Sequence, residues 1–239
     1  MEQNTDTGPK AKRKDTIMEL IIDTADLDAI KELDAFLTIA GVTTNPTIIT
    51  KSGKSPEQAI GDIIDYLAPD QKLFVQAVST DFDGIVAEAR RVAGLRDKNS
   101  YVKIPVTREG LRAIKAVHAE GIGVLATAIY SPEEAFLAAM NGADYLAPYV
   151  NRMCNYGDGV EAVCDLIDML AVQGMDAKVL AASFKNVDQV HKLILAGIPA
   201  MTVGPDVIRA MVDHPGTEIA VNEFTQNWKA AYGRETLFA

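Results

Sequence analysis

The 239-residue sequence predicts a single (β/α)8 barrel of the α/β class, because short apolar segments alternate with longer amphipathic ones from Met18 onward. Eight apolar segments have the length of buried parallel strands, at 19–23, 41–44, 73–78, 102–104, 124–128, 145–148, 178–182 and 200–203. Helical patterns follow them at 26–36, 56–66, 82–95, 109–120, 132–139, 160–170, 187–195 and 206–212. The connections are short, and neither a GxGxxG nor a Walker A motif follows a strand. A closed barrel is therefore favoured over an open nucleotide-binding sheet.

Capping residues and glycines mark the ends of the predicted helices. Five polar residues are placed to cap or begin a helix: Asp26, Ser55, Asp81, Thr107 and Ser131. Four glycines are placed to end one: Gly121, Gly142, Gly174 and Gly197. These signals support the division of the chain into eight strand and helix units.

Two segments lie outside the eight units. Residues 1–17 are polar, carry four Lys or Arg at positions 10–14 and lack the apolar stretch of a signal peptide, so we expect a disordered N-terminal extension. Residues 18–239 then form the barrel domain, which includes a further amphipathic helix at 217–232. That helix packs either on its own barrel or on a neighbouring subunit, and the sequence favours neither position.

Charge and composition exclude several classes of protein. The formal net charge is −10 at pH 7, with −11 left once the first 17 residues are set aside, which opposes binding to nucleic acid or to anionic membranes. No segment approaches the roughly 20 apolar residues that span a bilayer, so we expect a soluble cytoplasmic protein. Cys154 and Cys164 are expected to be reduced thiols, and the three histidines lack the spacing of metal ligands. The sequence predicts no bound metal.

Polar side chains stand where the predicted strands end. A parallel barrel carries its active site at the C-terminal ends of its strands. The residues at or just after these ends, in strand order, are Asp23, Thr43, Asn45, Gln76, Lys103, Thr127, Tyr149, Asn151, Arg152, Ser183 and Lys185. We expect the active site to be built from this set.

Lys103, within Tyr-Val-Lys-Ile-Pro-Val, has two possible orientations. Its side chain either runs outward between helices, with the ammonium group in water, or points into the barrel. In the second case, burial lowers the pKa of the lysine below its usual ~10.4, and the neutral amine can attack a ketone carbon. An acid, a phenol, an amide and hydroxyls around such a lysine suit carbonyl chemistry.

The residues of the first two strands also allow two interpretations. Asp23 either caps the next helix or faces Lys103 across the barrel, where it handles protons or substrate hydroxyls. In the second case its charge opposes the lowering of the lysine pKa, so burial must outweigh it. Thr43 and Asn45 either shape a turn before Pro46 or orient a polyol substrate.

An anion site is predicted at the barrel mouth. Arg152 follows the sixth strand, and Ser183 and Lys185 follow the seventh, which is where barrels often hold phosphate groups. The alternative for Arg152 is a surface salt bridge.

Five separated motifs stand out: Met18-Glu-Leu-Ile-Ile-Asp-Thr, Gly41-Val-Thr-Thr-Asn-Pro-Thr, Lys103-Ile-Pro-Val-Thr, Ala147-Pro-Tyr-Val-Asn-Arg and Ala181-Ala-Ser-Phe-Lys. Together these motifs resemble the transaldolase family, and specifically its small fructose-6-phosphate aldolase branch. They occur in the order of the family, and the resemblance runs from Met18 nearly to the C-terminus. It implies a (β/α)8 barrel that needs no cofactor, acts on a sugar phosphate and assembles as a pentamer or decamer, with the segment 217–232 reaching a neighbour.

The resemblance also implies roles for individual residues. It implies a Schiff base on Lys103, an acid at Asp23 and a proton-relaying water held by Gln76, Thr127 and Tyr149. Transaldolases of the family have Glu at the position of Gln76, whereas the aldolase branch pairs Gln there with a tyrosine at the position of Tyr149. This chain has both residues of the aldolase branch.

The expected function is that of a class I aldolase, which reversibly cleaves fructose 6-phosphate into dihydroxyacetone and glyceraldehyde 3-phosphate. One alternative is a transaldolase that passes dihydroxyacetone between phosphorylated or otherwise anionic sugars. Another is a non-catalytic barrel that binds sugar phosphates or serves as a scaffold. The presence of Lys103 together with Asp23, Gln76 and Tyr149 counts against this last alternative.

Overall fold

A computed structural model describes residues 17–238, so residues 1–16 of the expected N-terminal extension lie outside the described part of the chain. The strands are β1 (Glu19–Asp23), β2 (Gly41–Thr43), β3 (Lys72–Gln76), β4 (Ser100–Pro105), β5 (Gly123–Ile129), β6 (Tyr145–Pro148), β7 (Lys178–Ala181) and β8 (Ala200–Val203). The helices are α1 (Leu27–Asp34), α2 (Pro46–Lys51), α3 (Pro56–Tyr66), α4 (Phe82–Ala93), α5 (Arg108–Ala119), α6 (Pro132–Met140), α7 (Val150–Met153), α8 (Gly159–Val172), α9 (Val187–Ala196), α10 (Pro205–Val212) and α11 (Pro215–Tyr232).

The eight strands form a closed parallel barrel in sequence order, and β8 closes on β1 through the pairs Glu19 with Ala200 to Ile22 with Val203. This arrangement confirms the predicted (β/α)8 fold. All five predicted capping side chains accept a hydrogen bond from the first turn of their helix. The four predicted helix-ending glycines have positive φ angles of 64° to 95°, as the left-handed ends of helices require.

Two short helices are absent from the sequence prediction. The six-residue α2 begins where the Asn45 side chain accepts from the Ile48 N–H and Pro46 occupies the first turn, so the Asn-Pro pair starts a helix as well as a turn. The four-residue α7 is too short to show a helical periodicity. The C-terminal helix α11 begins at Pro215, two residues before the predicted start at 217.

Two apolar layers follow from the alternation of side chains along the strands. The outer layer lies between strands and helices and contains residues such as Ile22, Val102 and Leu146. The inner layer fills the barrel with Ile21, Phe74, Leu125, Tyr145, Ala147, Leu180, Ala182 and Ala200. The barrel is therefore packed through its centre, and any reaction site must lie at one of its ends.

Three aromatic rings fill the barrel one layer below the strand ends. Phe74 stacks on Tyr101 with ring centroids 4.9 Å apart, and Tyr145 meets both rings edge-on at 5.4 and 5.3 Å. Tyr101 precedes Lys103 by two residues on β4, so both side chains lie on the inner face. The rings separate Lys103 from the N-terminal end of the barrel.

An ionic network closes that N-terminal end. Glu19 on β1 bonds to Lys178 at 2.6 Å and to Lys72 at 3.2 Å, and it accepts from the Tyr145 hydroxyl at 3.0 Å. Burial by itself would raise the pKa of Glu19, but the hydrogen bond from Lys178 and the charge of Lys72 lower it below its ordinary 4.5. The ionised carboxylate thus links β1 to β3, β6 and β7.

The last helix, α11, differs from the others because none of its residues is buried. Its apolar side chains are exposed, Ile219 by 67%, Phe224 by 68% and Tyr232 by 62%. Among the described residues, no helix combines the length and apolar character needed to cross a bilayer.

We expect Glu19→Gln to lower the free energy of unfolding by about 1–3 kcal/mol at pH 7, because two lysines lose their anionic partner. Since the folded-state pKa of Glu19 is lowered, its contribution is present above the unfolded value near 4.5 and is lost as the pH falls. Urea unfolding at neutral and acidic pH measures both effects. The exposed Asp65→Asn variant is the control, and an equal loss at both pH values would contradict the account.

Candidate active site

Lys103 points into the barrel, which decides between its two possible orientations. The side chain is 3% exposed, and Nζ donates to the carbonyl oxygen of Thr44 at 2.8 Å. Burial lowers the pKa of Lys103 below its ordinary 10.5, while the charge of Asp23 acts in the opposite direction. The geometry thus provides a desolvated amine, and a larger neutral fraction of it at moderate pH than an exposed lysine has.

Asp23, at the C-terminal end of β1, lies close enough to Lys103 for its charge to act on the amine. Its Oδ1 accepts from the hydroxyl of Thr43 at 2.8 Å, and Asp26 rather than Asp23 caps α1. The Thr43 hydroxyl also contacts the hydroxyl of Thr202 on β8. Asp23 therefore belongs to the polar end of the barrel, where the hydroxyl of Thr43 on β2 holds it and Thr202 on β8 contacts that hydroxyl.

Thr127 and Tyr149 form a second pair of polar groups at this end. Their hydroxyls lie 3.2 Å apart, and Thr127 is fully buried. The pairing register of β5 with β6 shifts between Ala126 and Ile129, a stretch that contains Thr127. Within it, Ala128 has a φ of 56°. A bulge at this position can redirect side chains near a site. No residue pattern in the sequence predicts it.

Gln76 pairs with Lys103 across β3 and β4. It lies two residues after Phe74, so its side chain shares the inner face of β3. Its Oε1 is buried and accepts no hydrogen bond from the described residues, which leaves that oxygen available to a donor on a bound molecule.

Arg152 lies on α7, above the ring of Tyr149, at 4.9 Å from its centroid. It donates to the hydroxyl of Tyr130 at 3.2 Å, and it forms no salt bridge among the described residues. Tyr130 also meets Tyr149 edge-on at 5.9 Å. Sequence reasoning missed Tyr130, although its place directly after the fifth strand was a usable signal.

The loops after β6 and β7 are joined by Gln189, another residue that sequence reasoning missed. The buried Gln189 donates to Oδ1 of Asn151 at 3.2 Å and accepts from the N–H of Lys185 at 2.8 Å. The N–H of Asn151 in turn donates to the carbonyl of Ser183 at 3.0 Å. Ser183 has a φ of 61°, which is unusual for a residue other than glycine and occurs often at ligand sites.

The predicted residues fall into two groups. The structure brings Asp23, Thr43, Gln76, Lys103, Thr127 and Tyr149 to the inner C-terminal end of the barrel. Asn151, Arg152, Ser183 and Lys185 lie on the rim that surrounds it, with the side chain of Lys185 exposed. Asn45 caps α2 with its oxygen, so only its amide N–H group is left for a substrate. Among the described residues, no group of three or more His, Cys, Asp or Glu is placed to hold a metal ion.

This arrangement combines a buried amine, a nearby carboxylate, a phenol paired with a hydroxyl, and a guanidinium at the rim. A family model described as Transaldolase/Fructose-6-phosphate aldolase matches residues 20–236. The chain belongs to this family. It is accordingly an enzyme of the aldolase or transaldolase type.

A solved structure is also similar in fold. The one described as "Native KDPGal structure" has a TM-score of 0.52 and 18% identity, and the similarity covers 81% of this chain and 85% of that chain. At this identity the likeness concerns the fold alone, and it agrees with the closed eight-stranded barrel.

We expect Asp23→Asn to lower the pKa of Lys103 further, because it removes the charge that opposes the effect of burial. A small amine-reactive reagent should then begin to modify Lys103 at a lower pH in the Asp23→Asn variant than in the protein without the substitution. Competitive labelling followed by peptide mass spectrometry measures this profile. Asp28→Asn on the exposed side of α1 is the control, and a profile that stays in place or moves to higher pH would contradict the assignment.

Proposed function

We propose that this member of the family is a class I aldolase that reversibly cleaves fructose 6-phosphate into dihydroxyacetone and glyceraldehyde 3-phosphate. The observation that carries the proposal is the buried amine of Lys103, which lies close to Asp23 and is 3% exposed. A desolvated neutral amine is the group that attacks a ketone. The Gln76 and Tyr149 pair supports the aldolase branch of the family in particular.

The first step forms the Schiff base. Nζ of Lys103 attacks C2 of the open-chain ketose to give a carbinolamine, which takes up a proton and loses water to leave an iminium ion. Asp23 is suited to move this proton because it lies close enough for its charge to act on the amine. The iminium then accepts electrons from the neighbouring carbon–carbon bond, which a plain ketone does less readily.

The second step breaks the bond between C3 and C4. A base removes the proton of the C4 hydroxyl, C4 becomes the aldehyde carbon of glyceraldehyde 3-phosphate, and the bonding electrons move to C3 to form an enamine on Lys103. We assign the proton transfer to the phenol of Tyr149, acting through a water that Thr127 and Gln76 also contact. The 3.2 Å contact between the two hydroxyls and the available Oε1 of Gln76 support this assignment.

The last step releases dihydroxyacetone. The enamine takes a proton at C3, which regenerates the iminium, and water then attacks C2 and frees the amine of Lys103. Every atom of the products comes from the sugar or from the one water that was lost and regained. The reaction needs neither a metal nor a cofactor.

We assign the phosphate end of the substrate to the rim. Arg152 supplies a guanidinium that forms no ion pair with the described side chains. Ser183 and Lys185 lie in the loop that leads to the N-terminus of α9, and Asn151 is tied to this loop. Thr43 and the amide of Asn45 are suited to contact the sugar hydroxyls. We therefore propose a cytoplasmic enzyme that acts on sugar phosphates and binds neither nucleic acid nor a membrane.

The alternative within the family is a transaldolase, in which the enamine waits for a second aldehyde instead of a proton. The same Lys103 serves both reactions, so the choice depends on how readily water protonates and hydrolyses the intermediate. An amide at Gln76 and a phenol at Tyr149 favour the aldolase, by the resemblance of the chain to that branch.

We expect purified enzyme with fructose 6-phosphate, and no acceptor aldehyde, to release free dihydroxyacetone over many turnovers. Lys103→Met should abolish the release because it removes the nucleophile, whereas the exposed Lys115→Met is the matched control with unchanged activity. Tyr149→Phe should lower kcat by about 10²- to 10⁴-fold, the usual contribution of a general acid or base. Nuclear magnetic resonance of the reaction mixture measures both products.

The same experiment separates the alternatives. A transaldolase would instead need an added acceptor aldose phosphate, and it would release glyceraldehyde 3-phosphate and form a new ketose phosphate without free dihydroxyacetone. The absence of turnover with and without acceptor would contradict both reactions of fructose 6-phosphate.

We further propose that the enzyme is a homo-oligomer, a pentamer or decamer by resemblance to its branch, in which α11 covers a neighbouring copy. The support is the exposed apolar face of α11, which includes Val221, Phe224 and Tyr232 and is not covered by the other described residues.

We expect Phe224→Glu to produce a smaller species in analytical ultracentrifugation, because a charge would be buried against the neighbour. Gln226→Glu, on the opposite side of α11, should leave the assembly unchanged. A monomeric native protein, or an assembly that Phe224→Glu leaves intact, would contradict the proposed role of α11.

A further inference from the structure

Thr202 on β8 has a buried hydroxyl in an otherwise apolar strand, and this hydroxyl has no part in the mechanism proposed above. It is 1% exposed, and its partners in the four-residue strand are Ala200, Met201 and Val203. Ala200 belongs to the inner layer, so Thr202, two residues later, also faces the inside of the barrel. A buried hydroxyl is costly unless it forms hydrogen bonds.

The hydroxyl of Thr202 contacts that of Thr43 on β2, which in turn lies 2.8 Å from Oδ1 of Asp23. Within the described residues, Thr43 is the only hydrogen-bonding partner of the Thr202 side chain. The strand register explains the arrangement, because Asp23 pairs with Thr43 on one side of β1 and Ile21 pairs with Thr202 on the other. The three side chains form a continuous chain across the first, second and eighth strands.

The number of hydroxyl protons determines which group donates in each of these hydrogen bonds. The Thr43 hydroxyl donates to Oδ1 of Asp23, and a hydroxyl has a single proton to donate. Thr43 then has no proton for Thr202. The proton between the two threonines therefore comes from Thr202, and the order of donation is Thr202 to Thr43 to Asp23.

We propose that Thr202 is a positioning residue for the reaction: by donating to Thr43, it directs the Thr43 proton to Asp23 and holds the carboxylate beside Lys103. This inference rests on the proposed function, which gives Asp23 its role in proton transfer. Donation into a hydroxyl also strengthens the bond that this hydroxyl donates, because neighbouring hydrogen bonds polarise one another. Without Thr202, the Thr43 hydroxyl can turn away from Asp23.

The test uses the full chain with Thr202→Val, which keeps the shape of the side chain and removes the hydroxyl. We expect kcat for cleavage of fructose 6-phosphate to fall about tenfold, with KM changed less than about twofold, the size of one indirect hydrogen bond. Thr202→Ser should restore kcat to near the unmodified value. Val203→Ala, a buried change on the outer face of the same strand, should lower stability without changing kcat.

A double-mutant cycle with Asp23→Asn then tests whether Thr202 acts through Asp23. In the Asp23→Asn background, Thr202→Val should change kcat less than about twofold, because the group it positions is already altered. Independent, multiplicative effects of the two substitutions would overturn the proposal, and so would a Thr202→Val variant with unchanged kcat.

A second cycle on the same four proteins, read as free energies of urea unfolding, does not depend on turnover. The destabilisation by Thr202→Val should be smaller in the Asp23→Asn background, because the hydrogen-bonded chain is already interrupted. Additive changes in the free energy of unfolding would show that Thr202, Thr43 and Asp23 are not linked by hydrogen bonds. Failure of the proposed function is recognised separately, because the unsubstituted enzyme would then not cleave fructose 6-phosphate. The unfolding cycle would still report whether the hydrogen bonds from Thr202 through Thr43 to Asp23 exist.

Discussion

The burial of an amine inside the C-terminal end of the barrel is the constraint on which the rest of the structure depends. Lys103 is almost fully enclosed, and the cost of burying its charge lowers its pKa. The aromatic layer of Phe74, Tyr101 and Tyr145 lies below it, while the polar end of the barrel lies around it. Asp23 opposes the effect of burial, so the reactivity of the amine reflects a balance between desolvation and one nearby carboxylate.

The two ends of the barrel divide the tasks of stability and chemistry. At the N-terminal end, Glu19 forms ion pairs with two lysines from other strands and helps to close the barrel. At the C-terminal end, hydroxyls, amides and one carboxylate are held by bonds between strands and loops, among them those made by Thr43 and Gln189. A rigid scaffold of this kind keeps a buried amine and the side chains proposed to transfer protons within reach of one another.

The sequence predicts the fold well because each unit carries its own local signals. Alternating apolar segments, capping side chains such as Ser131 and glycines such as Gly197 place the ends of the predicted elements within two residues of those observed. The sequence predicts those site residues that lie at strand ends, and it therefore places Lys103 and Tyr149 at the same end of the barrel. The orientation of Lys103, the irregular strand at Ala128 and the contacts of Thr202 and Gln189 depend on how distant strands meet, and no local pattern encodes them.

Trapping of the Schiff base by borohydride tests the central claim most directly. The enzyme is incubated with dihydroxyacetone or fructose 6-phosphate, reduced and mapped by peptide mass spectrometry, with Lys103→Met as the control. The account predicts one stable adduct, located on Lys103 and absent from the variant. An adduct on another lysine, or none with either sugar, would contradict the assignment of Lys103 as the nucleophile.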